Sequence, residues 1–426
     1  MKKFFVQSFG CQMNAYDAKR IATLLVTRGW EASEVADEAD AIILNTCNVR
    51  EKASEKVFSA LGRLFKGNRT AKFAVIGCVA KAEGEVVMQR APYVSAVLSS
   101  HQYHKLPDAL EVSDRVIDIG VEDGLAKFEE LVPASKSAAS ELLQIQEGCD
   151  MFCTYCSVPM TRGREVSRPF NSVLEEARHL AEMGAVEITL LGQNVDAYSF
   201  DGAKLSDVIR AVAAIPGIGR IRYTTSYPSR IDPELAGLYS TEPNLASLVS
   251  LPIQSGSNSV LIAMRRRYTV DGYRAIVAAL RHARPEIMMS SDFIVGFPGE
   301  TNANFDETME IVREIGFIQS FSFKYSPRPG TKAASMPDQV TEDVKEKRLY
   351  NLQTLLRSNQ DRFNRGCIGL EMGVLFTENA LEEGFIVGRN EYMQPVIARG
   401  SADQLGLILP TRIEAGSYAN LKGRII

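Results

Sequence analysis

Three cysteines within eight residues are the clearest sign of chemistry in this sequence: Cys149, Cys153 and Cys156 follow a predicted strand and occupy a loop. A structural zinc site uses four protein ligands, and no fourth Cys or His lies within the next ~20 residues. The spacing also differs from that of electron-transfer ferredoxins. Three thiolates leave one iron of a cubane cluster open to bind and reduce a small molecule. The loop therefore predicts a reactive iron–sulfur site, with free or zinc-bound thiols as the alternative.

Three further cysteines occupy equivalent positions in the first hundred residues. Cys11, Cys47 and Cys78 each follow an apolar run typical of a buried strand. Ligands of open α/β sheets bind at the carboxyl edge of the strands, so these side chains can converge on one point. The two interpretations are small buried hydrophobes and a second three-cysteine cluster. Polar neighbours that could hydrogen-bond its sulfurs are Gln12, Asn14, Asn45, Thr46 and Asn48. The seventh cysteine, Cys367, stands apart and is interpreted as structural.

The elements around this second group form an α/β pattern. Strands are predicted at 4–9, 41–44 and 73–76, and helices at 15–28 and 51–65. Such alternation predicts an α/β fold with a parallel sheet, and we expect residues 1–118 to form the first domain. The polar, small-residue stretch 119–140 is typical of a linker.

Strand and helix signals alternate again over residues 141–365, which predicts a partial (β/α) barrel. Its strands are predicted at 142–146, 185–191, 220–225, 248–253, 288–295 and 317–324. After a long charged helix at 342–365, residues 366–426 show short apolar runs broken by glycines, which predicts a small β-barrel or sandwich. Three domains fit 426 residues, because single cores stop growing near ~250–300 residues.

Composition narrows the class of protein. A content of 45% hydrophobic and 23% charged residues is typical of a soluble globular chain, and no stretch approaches ~18 apolar residues. We expect no membrane association and a cytoplasmic location, since the apolar opening is too short for a signal peptide. A net charge of −4 excludes a protein that coats nucleic acid indiscriminately but permits a local basic groove.

Several motifs resemble those of the radical S-adenosylmethionine methylthiotransferase family. The CxxxCxxC pattern at 149–156 is one, and the segments 8–14, 45–51 and 77–78 resemble the family's N-terminal domain. The segments 161–165, 191–195, 254–257 and 294–301 match through the middle. The last ~60 residues, with Gly388-Arg389-Asn390-Glu391, resemble a TRAM domain, a small β-barrel that binds RNA. The first motif, GCQMN, is similar to that of members acting on tRNA rather than on a ribosomal protein.

The resemblance implies two [4Fe–4S] clusters and S-adenosylmethionine as cofactors. One cluster would cleave S-adenosylmethionine to a 5′-deoxyadenosyl radical. The other would hold a sulfur, methylated by a second S-adenosylmethionine, for insertion at C2 of N6-isopentenyladenosine beside the anticodon. Radical chemistry suits this carbon, because an aromatic C–H offers no leaving group. The implied partners are the tRNA anticodon stem-loop and an electron donor such as flavodoxin or ferredoxin, and we expect a monomer.

Other candidate residues lie near the cluster loop or at predicted strand ends. Tyr155 precedes the third thiol, where the family often places an aromatic near the adenine of the cofactor. Polar groups at strand ends could meet its ribose and carboxylate: Gln193, Asn194, Ser255, Gly256 and Ser257. Two basic groups could contact phosphates or form solvated faces: Arg162, Arg164 and Arg168, and the run Arg265, Arg266 and Arg267. No catalytic acid or base is identified.

Two departures from the family pattern and three rival functions stay open. The Cys and His that usually precede the LPxQSGS segment are absent at 246–252. From Gly366 onward five basic residues face seven acidic ones, which favours stacking and shape readout of RNA over charge. The same chemistry could act on threonylcarbamoyl-adenosine in tRNA or on a ribosomal protein. An RNA-binding iron–sulfur redox sensor without turnover is the rival of another class.

Overall fold

A computed structural model describes residues 1–47, 53–120, 126–129 and 137–426, with only the backbone described at Ala53, Ala126 and Glu129. Several predicted features lie outside these ranges: Asn48 and the rest of motif 45–51 after Cys47, the start of the helix at 51–65, and most of the linker at 119–140.

The N-terminal unit is a parallel sheet covered by helices on both faces. Its strands are β1 (Lys3–Ser8), β2 (Glu31–Ala32), β3 (Ala41–Thr46), β4 (Lys72–Gly77), β5 (Val94–Leu98) and β6 (Val116–Asp118). Its helices are α1 (Gln12–Thr27), α2 (Ala53–Gly67), α3 (Cys78–Glu83), α4 (Glu85–Arg90) and α5 (Leu106–Glu111), with α6 (Ala126–Glu129) beyond them. The strand order is β2-β1-β3-β4-β5-β6, and every pair is parallel.

The burial of β3 shows why this sequence forms such a sheet. All six of its residues are buried, as expected for a central strand covered on both faces. Ile43 packs with Ile21 of α1 on one face, and Ile42 packs with Leu61 of α2 on the other. Parallel connections then bring the carboxyl ends of β1, β3 and β4 to one edge. The predicted α/β fold with a parallel sheet is confirmed.

The central unit is a partial barrel of parallel strands surrounded by helices. Its strands are β7 (Ser140–Gln144), β8 (Gln146–Glu147), β9 (Val166–Ser167), β10 (Glu187–Leu191), β11 (Ser199–Phe200), β12 (Ala203–Lys204), β13 (Arg220–Tyr223), β14 (Leu248–Ser250), β15 (Met288–Ser290), β16 (Asp292–Val295) and β17 (Phe321–Lys324). Its helices are α7 (Val158–Thr161), α8 (Phe170–Glu182), α9 (Leu205–Ala213), α10 (Pro233–Thr241), α11 (Asn258–Ala263), α12 (Val270–Ala283), α13 (Asn302–Ile315) and α14 (Glu342–Gly366).

The wall of this barrel runs from β7 to β17. Parallel pairs join β7 to β10, β10 to β13, β14 to β15 and β16 to β17. Isolated parallel bridges between Ile221 and Leu245 and between Gln254 and Phe293 connect these groups. The strand predicted at 288–295 is two strands, because the chain leaves its pairing with β14 at Ser290 and begins to pair with β17 at Asp292. In the described ranges, no helix is long and apolar enough to cross a membrane.

The C-terminal unit is a closed barrel of five strands. They are β18 (Glu371–Asn379), β19 (Phe385–Asn390), β20 (Pro395–Arg399), β21 (Ile408–Gly416) and β22 (Leu421–Ile425), in the order β18-β19-β20-β22-β21. The predicted small β-barrel is confirmed, and closure leaves it without free strand edges.

Two arginines of β13 attach this barrel to the central unit. Arg220 donates to the carbonyl oxygen of Gly373 at 2.7 Å, and Arg222 donates to that of Glu391 at 2.6 Å. Both guanidinium groups also pair with the buried carboxylate of Glu187, at 3.2 and 3.1 Å. The segment 388–391, part of the TRAM resemblance, therefore contributes carbonyl groups to the contact between the two units.

Candidate iron–sulfur and cofactor site

The loop that presents Cys149, Cys153 and Cys156 is fixed at its start and in its middle. At its start, Gly148 has a φ of +76°, and an added Cβ would lie 1.9 Å from the carbonyl oxygen of Arg164. Only glycine allows the two backbones to approach this closely. In the middle, Thr154 donates from its backbone to Met264 at 3.1 Å and from its hydroxyl to Ala263 at 2.9 Å. We call the three thiols of this loop the first triad.

The thiols of the first triad lie close to one another in a water-poor environment. Burial raises the pKa of Cys149 to about 12, and the neighbouring thiols Cys156 and Cys153 add to the shift. Burial likewise raises the pKa of Cys156 to about 11, with Cys153 as a further cause. Thiols in such a place stay protonated until a metal displaces the proton. The donor set and its crowding fit a cluster with three thiolate ligands.

The second triad consists of Cys11, Cys47 and Cys78, at the carboxyl ends of β1, β3 and β4. An added Cβ on Gly10, the residue before Cys11, would lie 2.7 Å from Sγ of Cys47, so the chain passes closely over that thiol. A hydrogen bond with the Cys47 thiol lowers the pKa of Cys11 to about 6, and the Arg162 guanidinium contributes to the shift. Nε of Arg162 also donates to Sγ of Cys78 at 3.4 Å. The structure thus brings the three predicted thiols to one edge of the sheet.

Neither triad resembles a site for a single ion. Within the described ranges, no three His, Cys, Asp or Glu side chains are grouped to hold one metal ion. The ligands of a cubane cluster bind different iron atoms and are therefore spread more widely than the ligands of one zinc.

Arg162 lies between the two triads and does not face solvent. Its side chain is 2% exposed, and it pairs with Asp17 of α1 at 2.9 Å and with Glu147 of β8 at 2.8 Å. It also donates to Oδ1 of Asn14 at 2.8 Å. Lys127, which is fully buried, pairs with both carboxylates as well. Burial by itself would raise the pKa of Glu147. The positive charges of Lys127 and Arg162 outweigh this effect and hold the pKa well below its usual range.

Two of the predicted phosphate contacts are therefore wrong. Arg162 and Arg168 are interior residues, and a buried, paired guanidinium cannot reach a polynucleotide. Arg168 is completely buried, donates to the carbonyl oxygen of Gln144 at 2.7 Å and pairs with Glu176 at 2.7 Å. Arg164 differs from both, since it is 76% exposed, pairs with Asp150 at 2.7 Å and lies 5.7 Å from the ring centre of Phe152.

The run 265–267 is divided in the same way. Arg265 and Arg267 are exposed, whereas Arg266 turns inward towards the first triad. Nη1 of Arg266 donates to Sγ of Cys153 at 3.6 Å, and Nη2 donates to the carbonyl oxygen of Pro252 at 2.8 Å. Its guanidinium lies 4.2 Å from the ring centre of Tyr227. The prediction that Arg266 contacts phosphate is wrong, because its donors are directed into the protein.

Polar groups at the end of β10 support the first triad. Oε1 of Gln193 accepts from the backbone N–H of Gly148 at 2.5 Å, and Nδ2 of Asn194 donates to Glu165 at 2.7 Å. Oδ1 of Asn194 is buried and has no hydrogen-bond partner among the described residues, and the same is true of Oδ1 of Asp196. Burial raises the pKa of Asp196 to about 8. Oδ1 of Asn194 is thus an acceptor available to a polar ligand such as the cofactor, and Oδ1 of Asp196 is a second polar group available to it.

The other predicted cofactor residues are placed by packing. Tyr155 meets Phe297 edge to face, with ring centres 6.3 Å apart. The Ser255–Ser257 segment lies against α13, where the backbone N–H of Gly256 donates to Thr308 at 2.9 Å and the Ser257 hydroxyl accepts from Asn304 at 2.9 Å. A role of Tyr155, Ser255, Gly256 and Ser257 in cofactor binding stays a prediction.

Comparison with known proteins places this geometry in a family. A model described as the uncharacterized protein family UPF0004 matches residues 3–99, and a model of the radical SAM superfamily matches residues 143–312. The chain is 45% identical to the tRNA-2-methylthio-N(6)-dimethylallyladenosine synthase of Cereibacter sphaeroides, over 99% of this chain and 98% of that one. The chain belongs to the radical S-adenosylmethionine methylthiotransferase family. As a radical SAM enzyme, this methylthiotransferase uses an iron–sulfur cluster and S-adenosylmethionine.

Solved structures show the same fold at low sequence identity. The radical S-adenosylmethionine methyltransferase TsrM of Kitasatospora setae matches with a TM-score of 0.60 and 14% identity, over 78% of this chain and 74% of that chain. The cobalamin-dependent radical enzyme OxsB matches with a TM-score of 0.53 and 11% identity, over 84% of this chain and 56% of that chain. At these identities the likeness confirms the fold of the methylthiotransferase and nothing about its substrate.

The sequence analysis missed four residues of this site: Asp17, Lys127, Glu147 and Asp196. Asp196 had a usable signal, because it follows β10 closely, as Gln193 and Asn194 do. The other three are charged residues of ordinary type and spacing, and their burial depends on how two separate units of the chain pack together.

Proposed function

We propose that this methylthiotransferase acts on tRNA and converts N6-isopentenyladenosine beside the anticodon to its 2-methylthio derivative. S-adenosylmethionine would serve both as radical source and as methyl donor, and two [4Fe–4S] clusters would be held by the first and second triads. The observation that supports this proposal most is the convergence of Cys11, Cys47 and Cys78 at one sheet edge, joined by Arg162 to the loop of the first triad. The activity of the full-length relative from Cereibacter sphaeroides supports the choice of nucleoside.

The first triad would hold the cluster that binds and reduces S-adenosylmethionine. The residues of this chain bind and orient that cofactor. Oδ1 of Asn194 would accept a hydrogen bond from it, and the carboxyl group of Asp196 would hydrogen-bond a second polar group of it. Gln193 fixes the first residue of the loop through Gly148, and Tyr155 would pack on the adenine. Arg266 would donate to the sulfur of Cys153 and hold that ligand in place.

The second triad would supply the sulfur site. Arg162 donates to Sγ of Cys78, and a hydrogen bond from the backbone of Asn14 stabilises the Cys11 thiolate. Hydrogen bonds to cluster sulfurs stabilise negative charge on them and raise the reduction potential. These two hydrogen bonds would therefore make the second cluster easier to reduce than a cluster held by the same three thiolates without them.

The partners follow from this activity. The substrate is the tRNA anticodon stem-loop, which suits a cytoplasmic enzyme, and the reductant is an electron donor such as flavodoxin or ferredoxin. Arg164, Arg265 and Arg267 are the exposed cations proposed to contact phosphates. We propose three domains, at residues 1–118, 141–365 and 366–426, with a linker at 119–140. The last domain would be an RNA-binding barrel, and the protein would be a monomer.

An iron count tests the two-cluster arrangement. Anaerobically reconstituted wild type is expected to hold about eight irons per chain, and a Cys11/Cys47/Cys78 triple-Ala variant about four. The matched control is Cys367→Ser, because this buried cysteine lies in the C-terminal unit and belongs to neither triad. Near four irons in both wild type and triple variant would contradict the second cluster.

Nucleoside analysis tests the reaction. In a strain that lacks the gene, wild type is expected to restore 2-methylthio-N6-isopentenyladenosine in tRNA, and Cys149→Ala is expected to restore none. Cys367→Ser should restore it as wild type does. Restoration by Cys149→Ala would contradict the proposed chemistry. Failure of the reduced, reconstituted protein to cleave S-adenosylmethionine would favour a redox sensor instead.

A further inference from the structure

The last two strands of the partial barrel present two aromatic side chains to its interior. In β16 and β17, Asp292 pairs in register with Phe321, and Ile294 pairs with Phe323. Partners in a parallel ladder point to the same face. The alternate residue Phe293 is fully buried under the outer helices, with its ring 5.3 Å from that of Phe317. Asp292, Ile294, Phe321 and Phe323 therefore occupy the opposite face, which lines the inside of the barrel.

This inner face lies at the open side of the barrel. Among the described strands, β17 pairs with β16 alone and β7 pairs with β10 alone, so the wall is not closed between β7 and β17. Phe321 is 61% exposed and Phe323 is 40% exposed. Large aromatic side chains exposed side by side at the mouth of a site are typical of ligand contacts.

The same face reaches the first triad. Ile294 and Tyr155 pack against one apolar cluster, which contains Met264 and Phe297. Arg266, which contacts Sγ of Cys153, is also close enough to Asp292 to act on its charge. A group resting on Phe321 and Phe323 would thus lie between the opening and the cofactor site.

We propose that Phe321 and Phe323 bind the isopentenyl group and base of the target adenosine, and that Asp292 excludes adenosines whose N6 substituent is anionic. This inference rests on the proposed function and adds its substrate selectivity. Bases of single-stranded loops stack on aromatic side chains, and an enzyme that modifies a base takes it out of the stack. The isopentenyl chain is apolar and gains by leaving water for the two rings.

Charge provides the exclusion. The threonylcarbamoyl substituent carries a carboxylate, which the Asp292 carboxylate repels. Burial raises the pKa of Asp292 to about 6, so the group is ionised in a binding assay run well above that pH. Arg266 acts on the charge of Asp292, but its donors are directed to Cys153, Pro252 and the hydroxyl of Tyr268, so it is not placed to hydrogen-bond a second carboxylate.

Binding of synthetic anticodon stem-loops to the reconstituted holoenzyme tests the apolar contact. The probes carry isopentenyl-adenosine or plain adenosine at the target position, and fluorescence anisotropy gives the two dissociation constants. Wild type is expected to prefer the isopentenylated stem-loop roughly tenfold or more, as apolar pockets discriminate. A Phe321→Ala/Phe323→Ala variant should lose most of that preference. The control Tyr350→Ala, which removes another exposed aromatic side chain, on α14, should keep it. Phe321→Leu retains apolar volume without the ring and should keep part of the preference.

The charge effect has its own probe. Asp292→Asn is expected to strengthen binding of a threonylcarbamoyl-adenosine stem-loop several-fold relative to the isopentenylated one. An unchanged ratio would overturn the role of Asp292.

Other outcomes separate this inference from the function on which it rests. An unchanged preference in the double Phe variant, while wild type methylthiolates isopentenylated tRNA, would overturn the inference alone. Suppose instead that the double Phe variant no longer cleaves S-adenosylmethionine in the absence of RNA. The two rings would then act on the cofactor rather than on the substrate, and the inference would again be overturned. Failure of wild type to modify isopentenylated tRNA would overturn the proposed function itself.

Discussion

At the scale of single residues, the carboxyl group of Asp196 couples the cofactor site to pH. One oxygen accepts from the backbone N–H of Tyr227 at 2.8 Å, and the other is buried without a partner among the described residues. Burial raises the pKa of this group to about 8, compared with about 3.9 in an unfolded chain. Between these values the native state holds a proton that the unfolded state has released. Stability is therefore expected to fall as the pH rises through this window.

The variant Asp196→Asn isolates this effect. Its amide can still accept from Tyr227 but does not titrate. The melting temperature of the variant should therefore vary less between about pH 6 and pH 8 than that of wild type. In terms of unfolding free energy, the two slopes should differ by at most about 1.4 kcal/mol per pH unit. Thermal unfolding of anaerobic holoenzyme across that range measures it. Asp201→Asn, in the exposed turn that follows, should keep the wild-type profile. Parallel profiles for Asp196→Asn and wild type would contradict the expectation.

Residue type and spacing predicted the cysteines well and the arginines poorly. Cys11, Cys47 and Cys78 could be grouped because the end of each parallel strand has a fixed place in the sheet. No such rule applies to Arg162 and Arg164, which lie two positions apart in the same loop. One is buried between two carboxylates and the other is 76% exposed, because the N-terminal unit covers only one side of the loop. That packing is not encoded in the local sequence.

At the scale of elements, the contact between the 255–257 segment and α13 depends on a glycine. An added Cβ on Gly256 would lie 2.6 Å from both the carbonyl oxygen of Glu307 and Cα of Thr308. These are backbone atoms of a helix and cannot rotate away. Gly256→Ala is expected to move the segment off α13 and to cost about 1–3 kcal/mol of unfolding free energy, as overpacking typically does.

A second glycine provides the control for that variant. Gly237 lies within α10, and an added Cβ there would meet nothing within 4 Å. Gly237→Ala should be neutral or stabilise the protein by up to ~1 kcal/mol, because alanine favours the helix. Denaturant unfolding of the two variants and wild type gives the comparison. A Gly256→Ala variant as stable as Gly237→Ala would show that the segment shifts without cost.

The periodicity of hydrophobic residues in the sequence predicted whether a segment is a helix or a strand. Where a strand begins and ends depends on the strands with which it pairs. The strand predicted at 73–76 extends to Lys72–Gly77, and the long helix predicted at 342–365 ends at Gly366. The run 288–295 has no period that marks a break, yet it forms β15 and β16 because its two halves pair with different strands. That change of partner determines that Asp292 faces the interior of the barrel, so this part of the site was out of reach of sequence reasoning.

At the scale of the whole molecule, one buried network holds the N-terminal unit against the central barrel. Asp17 comes from α1, Lys127 from α6, Glu147 from β8 and Arg162 from the residue after α7. The formal charges of two carboxylates and two cations balance. The network therefore tolerates burial as long as it is complete, and through Arg162 it connects the loop of the first triad to Cys78 of the second.

Substitution of Arg162 tests whether this network holds the two units together. Arg162→Gln leaves Asp17 and Glu147 with Lys127 alone, and an uncompensated buried carboxylate typically costs about 3–5 kcal/mol. We expect a clearly lower melting temperature and faster proteolytic separation of the N-terminal unit from the rest of the chain. Arg162→Lys keeps the charge but not the planar fork, so its loss of stability should be intermediate.

The control for the network is in the same loop. Arg164→Gln removes an equal charge from an exposed ion pair, which contributes ~0–1 kcal/mol, so the melting temperature should stay near that of wild type. Comparing the two by calorimetry of anaerobic holoenzyme, with limited proteolysis in parallel, isolates burial as the cause. Equal effects of Arg162→Gln and Arg164→Gln would mean that charge near the first triad matters rather than the contact between the two units. The two units would then have to be held together by other contacts, such as the pairing of Lys19 of α1 with Glu141 of β7.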